Sequence, residues 1–299
     1  MILVLLCLLL SDICIGATQF KKLEKPNFNE KSATLIGGSP AGPTEFPAVL
    51  YTNQSGSRCT STMVGPRALL TAAHCVDDGG TASFRMGGVS YFATCTHHPD
   101  YENNATADWA ICHVNKTVAN LQYESLIMIP GIPDVGDYLL LTGYGCTNSE
   151  GSGGNDGVLR KGYAEVIRTP RSGDWDIITR GSVALCFGDS GGPAFYEENG
   201  KRWLVSVNSR GNIRDTSYLS KTLSNPVFKD WITSWSNSKN AKICGLNQQC
   251  TNNEIPPEPD KNPKPNAGLF DLIVWLIIAA LCITFCVFVY LKGKNGGRV

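Results

Sequence analysis

Apolar residues in this chain are parcelled into short runs. Between residues 17 and 250 they appear as Ala48 to Tyr51, Ala68 to Ala73, Tyr138 to Leu141, Val183 to Leu185 and Trp203 to Val207, separated by clusters of Gly, Pro, Asn and Asp. No internal repeat and no sustained helical period links them. Short runs bounded by turn formers predict an all-β sandwich or barrel. The exception is Asn225 to Trp235, where Phe228, Trp231, Ile232 and Trp235 fall at i, i+3, i+4 and i+7, the spacing of one helical face. A single helix docked late on a β body is therefore expected.

Both ends are too apolar for a soluble core. Residues 1–16 open with MILVLLCLLL, too short to span a bilayer, and leave through the small residues Gly16 and Ala17. This reads as a secretory signal peptide cut after either one. Leu272 to Leu291 contains no charged residue, and at 1.5 Å per residue that run matches the roughly 30 Å of hydrocarbon in a bilayer. With Lys292, Lys294 and Arg298 behind it, the positive-inside rule puts tail 292–299 in the cytoplasm and the preceding chain outside. Segment 268–291 is thus expected to anchor a type I protein in the lipid bilayer, at the cell surface or in the secretory pathway. The basic tail argues against a cleaved lipid-anchor signal. Segment 251–267 carries five prolines and no aromatic residue, which suits an extended stalk.

Lys plus Arg and Asp plus Glu both number 26, so no basic face announces a nucleic-acid partner. Of the twelve cysteines, Cys7 and Cys14 fall in the leader and Cys282 and Cys286 in the span. The remaining even set, Cys59, Cys75, Cys95, Cys112, Cys146, Cys186, Cys244 and Cys250, reads as disulfides in an oxidising compartment, with the pairing left open by the count alone. No Cys-x-x-Cys occurs, and the four histidines lack metal-ligand spacing, so no metal is expected. Asn53, Asn104 and Asn115 begin N-x-Ser/Thr sequons that suit surface loops.

Chemistry concentrates at three places. Ser190 sits in Gly188-Asp189-Ser190-Gly191-Gly192-Pro193, where flanking glycines allow a tight turn that exposes the hydroxyl and gathers backbone N–H groups. A serine nucleophile needs a base, and His74 ends the apolar stretch Leu69 to Cys75. A base needs an orienting carboxylate. Asp108 opens the apolar segment Asp108-Trp109-Ala110-Ile111, whereas its competitor Asp100 has no apolar strand behind it.

With these motifs the chain resembles the chymotrypsin-like (trypsin fold) serine endopeptidases from about Leu35 to Trp235. Further matching segments are Leu35-Ile36-Gly37-Gly38, Thr71 to Cys75, His98-Pro99-Asp100-Tyr101, Thr142-Gly143-Tyr144-Gly145, Val205-Ser206 and Asn225-Pro226-Val227-Phe228 leading to Trp231-Ile232. The resemblance implies two antiparallel β-barrels with a cleft between them, within a protease domain spanning 35–250. It implies Ser190 as nucleophile, His74 as general acid/base, Asp108 as its orienter and the amides of Gly188 and Ser190 as the oxyanion hole. A peptide or protein would be the substrate, and no cofactor would be needed. Cys59–Cys75, Cys95–Cys112, Cys146–Cys186 and Cys244–Cys250 are the disulfides it suggests. The alternative is a catalytically inactive relative acting as a membrane-tethered binding module, against which stands the presence of all three triad residues. The segment between His74 and Asp108 lacks an acidic cluster suited to calcium.

The same resemblance bears on specificity and activation. Ala184 stands at the pocket position where trypsins carry an aspartate, so a cationic side chain would be buried unpaired. Ser206, Asn208 and Thr216 are the expected neighbouring pocket residues, with Asn208 and Thr216 narrowing it toward Ala, Val or Thr. Residues 17–34 would be a propeptide, and Leu35 the new N-terminus whose amino group pairs with Asp189. The preceding residue is Thr34, so trypsin is not expected to activate the chain correctly and self-processing in trans fits the narrow pocket. N-terminal sequencing of wild type beside Ser190→Ala checks this: the mature wild type should begin at Leu35 and the isolated variant should remain uncut.

Overall fold

The computed structural model describes residues 35–127, 131–222 and 224–250; the leader (1–16), propeptide (17–34), stalk (251–267), apolar span (268–291) and tail (292–299) lie outside the described residues. Thirteen strands follow in order: β1 (Ser39–Pro40), β2 (Val49–Gln54), β3 (Ser57–Gly65), β4 (Ala68–Thr71), β5 (Thr81–Met86), β6 (Val89–His97), β7 (Ala110–Val114), β8 (Tyr138–Gly143), β9 (Arg160–Arg168), β10 (Asp176–Arg180), β11 (Pro193–Glu198), β12 (Lys201–Gly211) and β13 (Thr216–Lys221). Among the described residues, helix α1 (Pro226–Lys239) comes last.

The strands form two antiparallel six-stranded barrels. The first closes in the order β2-β3-β4-β7-β6-β5, and the second runs β9-β10-β13-β12-β11-β8 and closes through a β8–β9 pairing, with β1 added to β9. Period two explains how one strand serves two cores. In β8, Leu139 and Leu141 point into the second barrel while Leu140 joins the cluster shared with Phe195, Leu204 and Leu70. In β4, Leu69 fills the first barrel and Leu70 the shared cluster. Strands buried on both faces read as continuous apolar runs, which is why Ala68 to Ala73 and Tyr138 to Leu141 stood out in the sequence.

Two expected elements differ in extent. Val183 to Leu185 is buried but is not a strand; Ala184 makes only an isolated bridge to Ile36. Helix α1 buries Phe228, Ile232 and Trp235, and it runs past Trp235 to Lys239 before Asn240 turns left-handed (φ 47°). Asn225 caps its N-terminus, the side chain accepting from Val227 N at 3.0 Å, with Pro226 in the first turn. Both choices satisfy what a helix start demands.

Among the described residues four disulfides are present: Cys59–Cys75, Cys95–Cys112, Cys146–Cys186 and Cys244–Cys250. The second joins directly paired residues of β6 and β7. Among the described residues no helix is long and apolar enough to cross a membrane, and no group of His, Cys, Asp and Glu is placed to hold a metal.

Segment 124–127 stitches the barrels together. Glu124 N donates to Met63 O of the first barrel (3.0 Å), while Ser125 O accepts from Leu204 N of the second (2.8 Å). The buried Glu124 carboxylate takes a bidentate pair from Arg202 (2.7 and 3.0 Å), whose guanidinium lies over the rings of Phe46 and Phe195. Removing one partner of such a buried pair strands the other charge. Glu124→Ala should therefore lower unfolding stability by about 3–5 kcal/mol, read from urea denaturation, with Glu124→Gln losing less.

Candidate active site

The strand register sets the first half of the site. β4 pairs with β7 so that Thr71 lies opposite Ala110, which brings the residues just after β4 beside those just before β7. A short 3₁₀ turn at Ala73–Cys75 follows, pinned to β3 by Cys59–Cys75. His74 and Asp108 consequently meet. Asp108 Oδ1 accepts from the His74 backbone N–H at 2.9 Å, and Oδ2 lies 2.6 Å from His74 Nδ1. The backbone bond fixes the turn and the ring bond orients the imidazole, with Nδ1–H donating to the carboxylate and Nε2 left as the acceptor. The Asp108 side chain is 3% exposed and that of His74 37%. Asp100 does not take part: it is exposed, with its backbone N–H bonded to His98 Nδ1.

The second half is the Ser190 turn, and the first barrel holds it directly. Thr60, next to Cys59 on β3, donates its backbone N–H to Ser190 O (2.9 Å) and its hydroxyl to Gly188 O (2.8 Å). Gly191 lies so close to the His74 segment that a Cβ there would stand 2.2 Å from Thr71 Oγ1 and 2.3 Å from Thr60 O. Its φ of +80° disfavours a side chain as well. Ser190 is partly exposed. Its hydroxyl and the amides of Gly188 and Ser190 donate to no described residue.

Beneath the turn, Asp189 is fully buried. Its oxygens accept from Gly145 N (2.8 Å) and Cys186 N (2.9 Å). Burial outweighs those two donors and pushes its carboxyl up to about 7. Gly143 and Gly145 make room for it, since a Cβ on either would fall within 2.6 Å of the carboxylate. Leu35 is also fully buried, and Ile36 O accepts from Ala184 N at 3.0 Å, so the start of the domain lies against the segment leading into this turn.

The pocket expectations require correction. Ser206 and Asn208 do not face the cleft. Both are fully buried; the Ser206 hydroxyl has no partner, and the Asn208 amide points at Thr142 O and Asp189 O. It is Ser209 that reaches Asp108, its hydroxyl donating to Oδ2 at 2.6 Å. The cause is a β-bulge. Asn208 pairs with Leu219 and Arg210 with Tyr218, so Ser209 is the extra residue, re-aimed out of the alternation. Gly211 then stands opposite Leu185. A Cβ there would lie 3.0 Å from Leu185 O and 3.2 Å from Thr216 O. Ser217 closes the same ground by accepting from Leu185 N (2.9 Å). Ala184 is buried, and Thr216, also buried, turns its hydroxyl to Asp215. Thr60 and Ser209 were missed by sequence reasoning; the separation of Ser209 from the Val205-Ser206 motif is visible only once the bulge is known.

Of the sequon asparagines, Asn53 and Asn115 are exposed, and Asn104 is partly buried with its amide donating to Gly173 O at 3.0 Å.

A family model for trypsin matches residues 35–232. Spermosin of Halocynthia roretzi is 27% identical over 223 residues, covering 60% of this chain and 57% of that protein. The suppressor of tumorigenicity 14 protein homolog of Bos taurus is 27% identical over 248 residues, with 68% of this chain and 28% of that protein covered. Transmembrane protease serine 9 of Rattus norvegicus is 28% identical over 201 residues, with 58% and 19% covered. The chain thus spans little more than half of the first of these proteins and under a third of the other two.

Two opposed charges act on His74. Burial alone disfavours the imidazolium, but the hydrogen bond and charge of Asp108 outweigh it and hold the pKa above its ordinary 6.5, while Arg210 pulls it down. Arg210 is fixed beside Ser209 by an ion pair with the buried Asp176 and by stacking over Tyr218 at 4.8 Å. Removing the cation should move the His74 titration up in pH, and removing the anion should move it down. The ring-proton resonance of His74, followed by NMR across pH in Arg210→Gln and Asp108→Asn, checks both signs.

Proposed function

Because the chain belongs to the trypsin family, we propose that it is a serine endopeptidase in which Ser190 attacks the peptide carbonyl, His74 moves the protons and Asp108 holds His74. One observation carries this reading. His74, partly exposed and bonded to a buried carboxylate through both its backbone N–H and its ring Nδ1, stands on the segment against which the Ser190 turn is docked.

The chemistry follows from those atoms. Nε2 accepts the Ser190 proton as Oγ adds to the carbonyl carbon; the imidazolium so formed is stabilised by Asp108 and then protonates the leaving amine. Asp108 suits this task because, although burial raises its pKa, the bonds from His74 and Ser209 more than compensate and keep it ionised. The resulting acyl-enzyme is cleaved by water with the same base. The amides of Gly188 and Ser190, which donate to no described residue, are the donors for the oxyanion, each worth roughly 2.7–4 kcal/mol in comparable sites.

Ala184 offers no carboxylate to a cationic P1 side chain and Thr216 is a buried side chain of the same region, which supports small aliphatic residues at P1. A buried Asp189, pushed up to about 7 by burial that its two backbone donors and the charge of Arg160 do not offset, is a partner in waiting for a cation, in keeping with activation by a new amino terminus at Leu35. Leu272 to Leu291 would hold the enzyme on the outer or lumenal face of a membrane, with Asn53, Asn104 and Asn115 as its glycan sites.

Fluorophosphonate labelling of Ser190 tests the reading, since it requires an activated serine. Wild type should label and should cleave small-P1 peptides faster than those with Arg or Phe. Ser190→Ala, His74→Ala and Asp108→Asn should each lower turnover by orders of magnitude, with combined losses far from additive, while Asp100→Asn changes little. An unlabelled wild type would leave the inactive binding module as the better account.

A further inference from the structure

We infer that Asn208 is a positioning residue that aims the Ser190 amide, a role resting on the endopeptidase reading above. Asn208 holds the Ser190 turn from both sides. Its backbone N–H donates to Gly192 O and its carbonyl accepts from Gly191 N, both at 2.8 Å. Its side-chain amide donates to Thr142 O, near the end of β8, at 2.9 Å and to Asp189 O at 3.3 Å. Gly192 gives this amide its space, for a Cβ there would sit 3.0 Å from Nδ2.

The bond to Asp189 O matters because that oxygen belongs to the same peptide unit as the Ser190 N–H. In a trans peptide the C=O and N–H point in opposite directions. Holding the carbonyl inward, toward Asn208 and toward Gly192 N at 3.0 Å, therefore turns the Ser190 N–H outward, to where an oxyanion forms. The brace is tied to a barrel strand through Thr142, so the peptide cannot rotate without breaking a bond to the scaffold.

Stability does not explain the residue. Asn208 is fully buried and its Oδ1 has no partner, while the two carbonyls at Nδ2 dictate which end of the amide faces them. A buried orphan acceptor is destabilising, and neighbouring positions on the same strand are filled by Val205 and Val207. A leucine of similar size would remove the orphan and keep the packing, but it would release the Asp189 and Thr142 carbonyls.

The test compares wild type, Asn208→Leu and Asn208→Thr, extracted in detergent with their membrane segment and each processed to begin at Leu35. Asn208→Leu should stay folded, the lost orphan offsetting the two released carbonyls, while kcat on a small-P1 peptide falls roughly 10- to 100-fold with KM little changed. Binding of a peptidyl boronate should weaken in step with kcat/KM. Hydrogen exchange should quicken within 186–192 and nowhere else. Asn208→Thr, which keeps one donor, should recover part of kcat. Wild-type kcat per folded molecule in the leucine variant overturns the inference, as does a loss confined to KM; if leucine prevents folding, the same criteria apply to threonine. An inert wild type instead defeats the endopeptidase reading, and unchanged exchange in 186–192 would then still overturn the bracing role.

Discussion

Main-chain contact between two closed barrels is what every other feature of this molecule serves. Thr60 crosses from the first barrel to bond Ser190 O and Gly188 O of the second, and Gly191 packs against the strand end that leads to His74. Such contact needs residues without side chains at the crossing and apolar surfaces that press the barrels together behind it. Leu70, Leu140, Phe195 and Leu204 supply that pressure, and α1 extends it with Phe228 and Ile232.

The polar groups are arranged around the same junction. Asp108 is sheltered by the first barrel yet takes a bond from Ser209 of the second, so its ionised state reports the fit between the two. Glu124 and Arg202 do the same farther from the cleft. At the buried Glu124 and Asp176 an arginine offsets part of the burial that raises the carboxyl pKa, whereas Asp189 has no side-chain donor. Its two amide donors fall short of the desolvation it suffers. The junction is therefore electrostatically complete around His74 and incomplete beneath Ser190.

Much of this was legible in the sequence because the decisive signals were local. Strand runs, the helix face of Phe228, Ile232 and Trp235, and the segments carrying His74, Asp108 and Ser190 all depend on near neighbours, and the structure brings His74 and Asp108 together. What escaped depends on register. Ser206 matched a family motif, but three residues later a bulge turns Ser209 to Asp108, and no count of alternate positions can locate an inserted residue. Val183 to Leu185 looked like a strand because it is buried, although burial there comes from Ile36 and the turn rather than from a ladder. Thr60 carried no signal at all, since an ordinary threonine in a strand gains its role only from the opposite barrel.

The Cys146–Cys186 disulfide gives the Ser190 turn a dependence of another kind. Cys186 donates its amide to Asp189, and Cys146 N donates to Phe187 O at 2.9 Å, so the bridge closes a loop around the residues that lead into Ser190. That bridge exists only where thiols are oxidised. In a reducing compartment the same chain would carry Ser190 on a turn secured by hydrogen bonds alone, and the stiffness of the turn would become a property of the surroundings as much as of the fold.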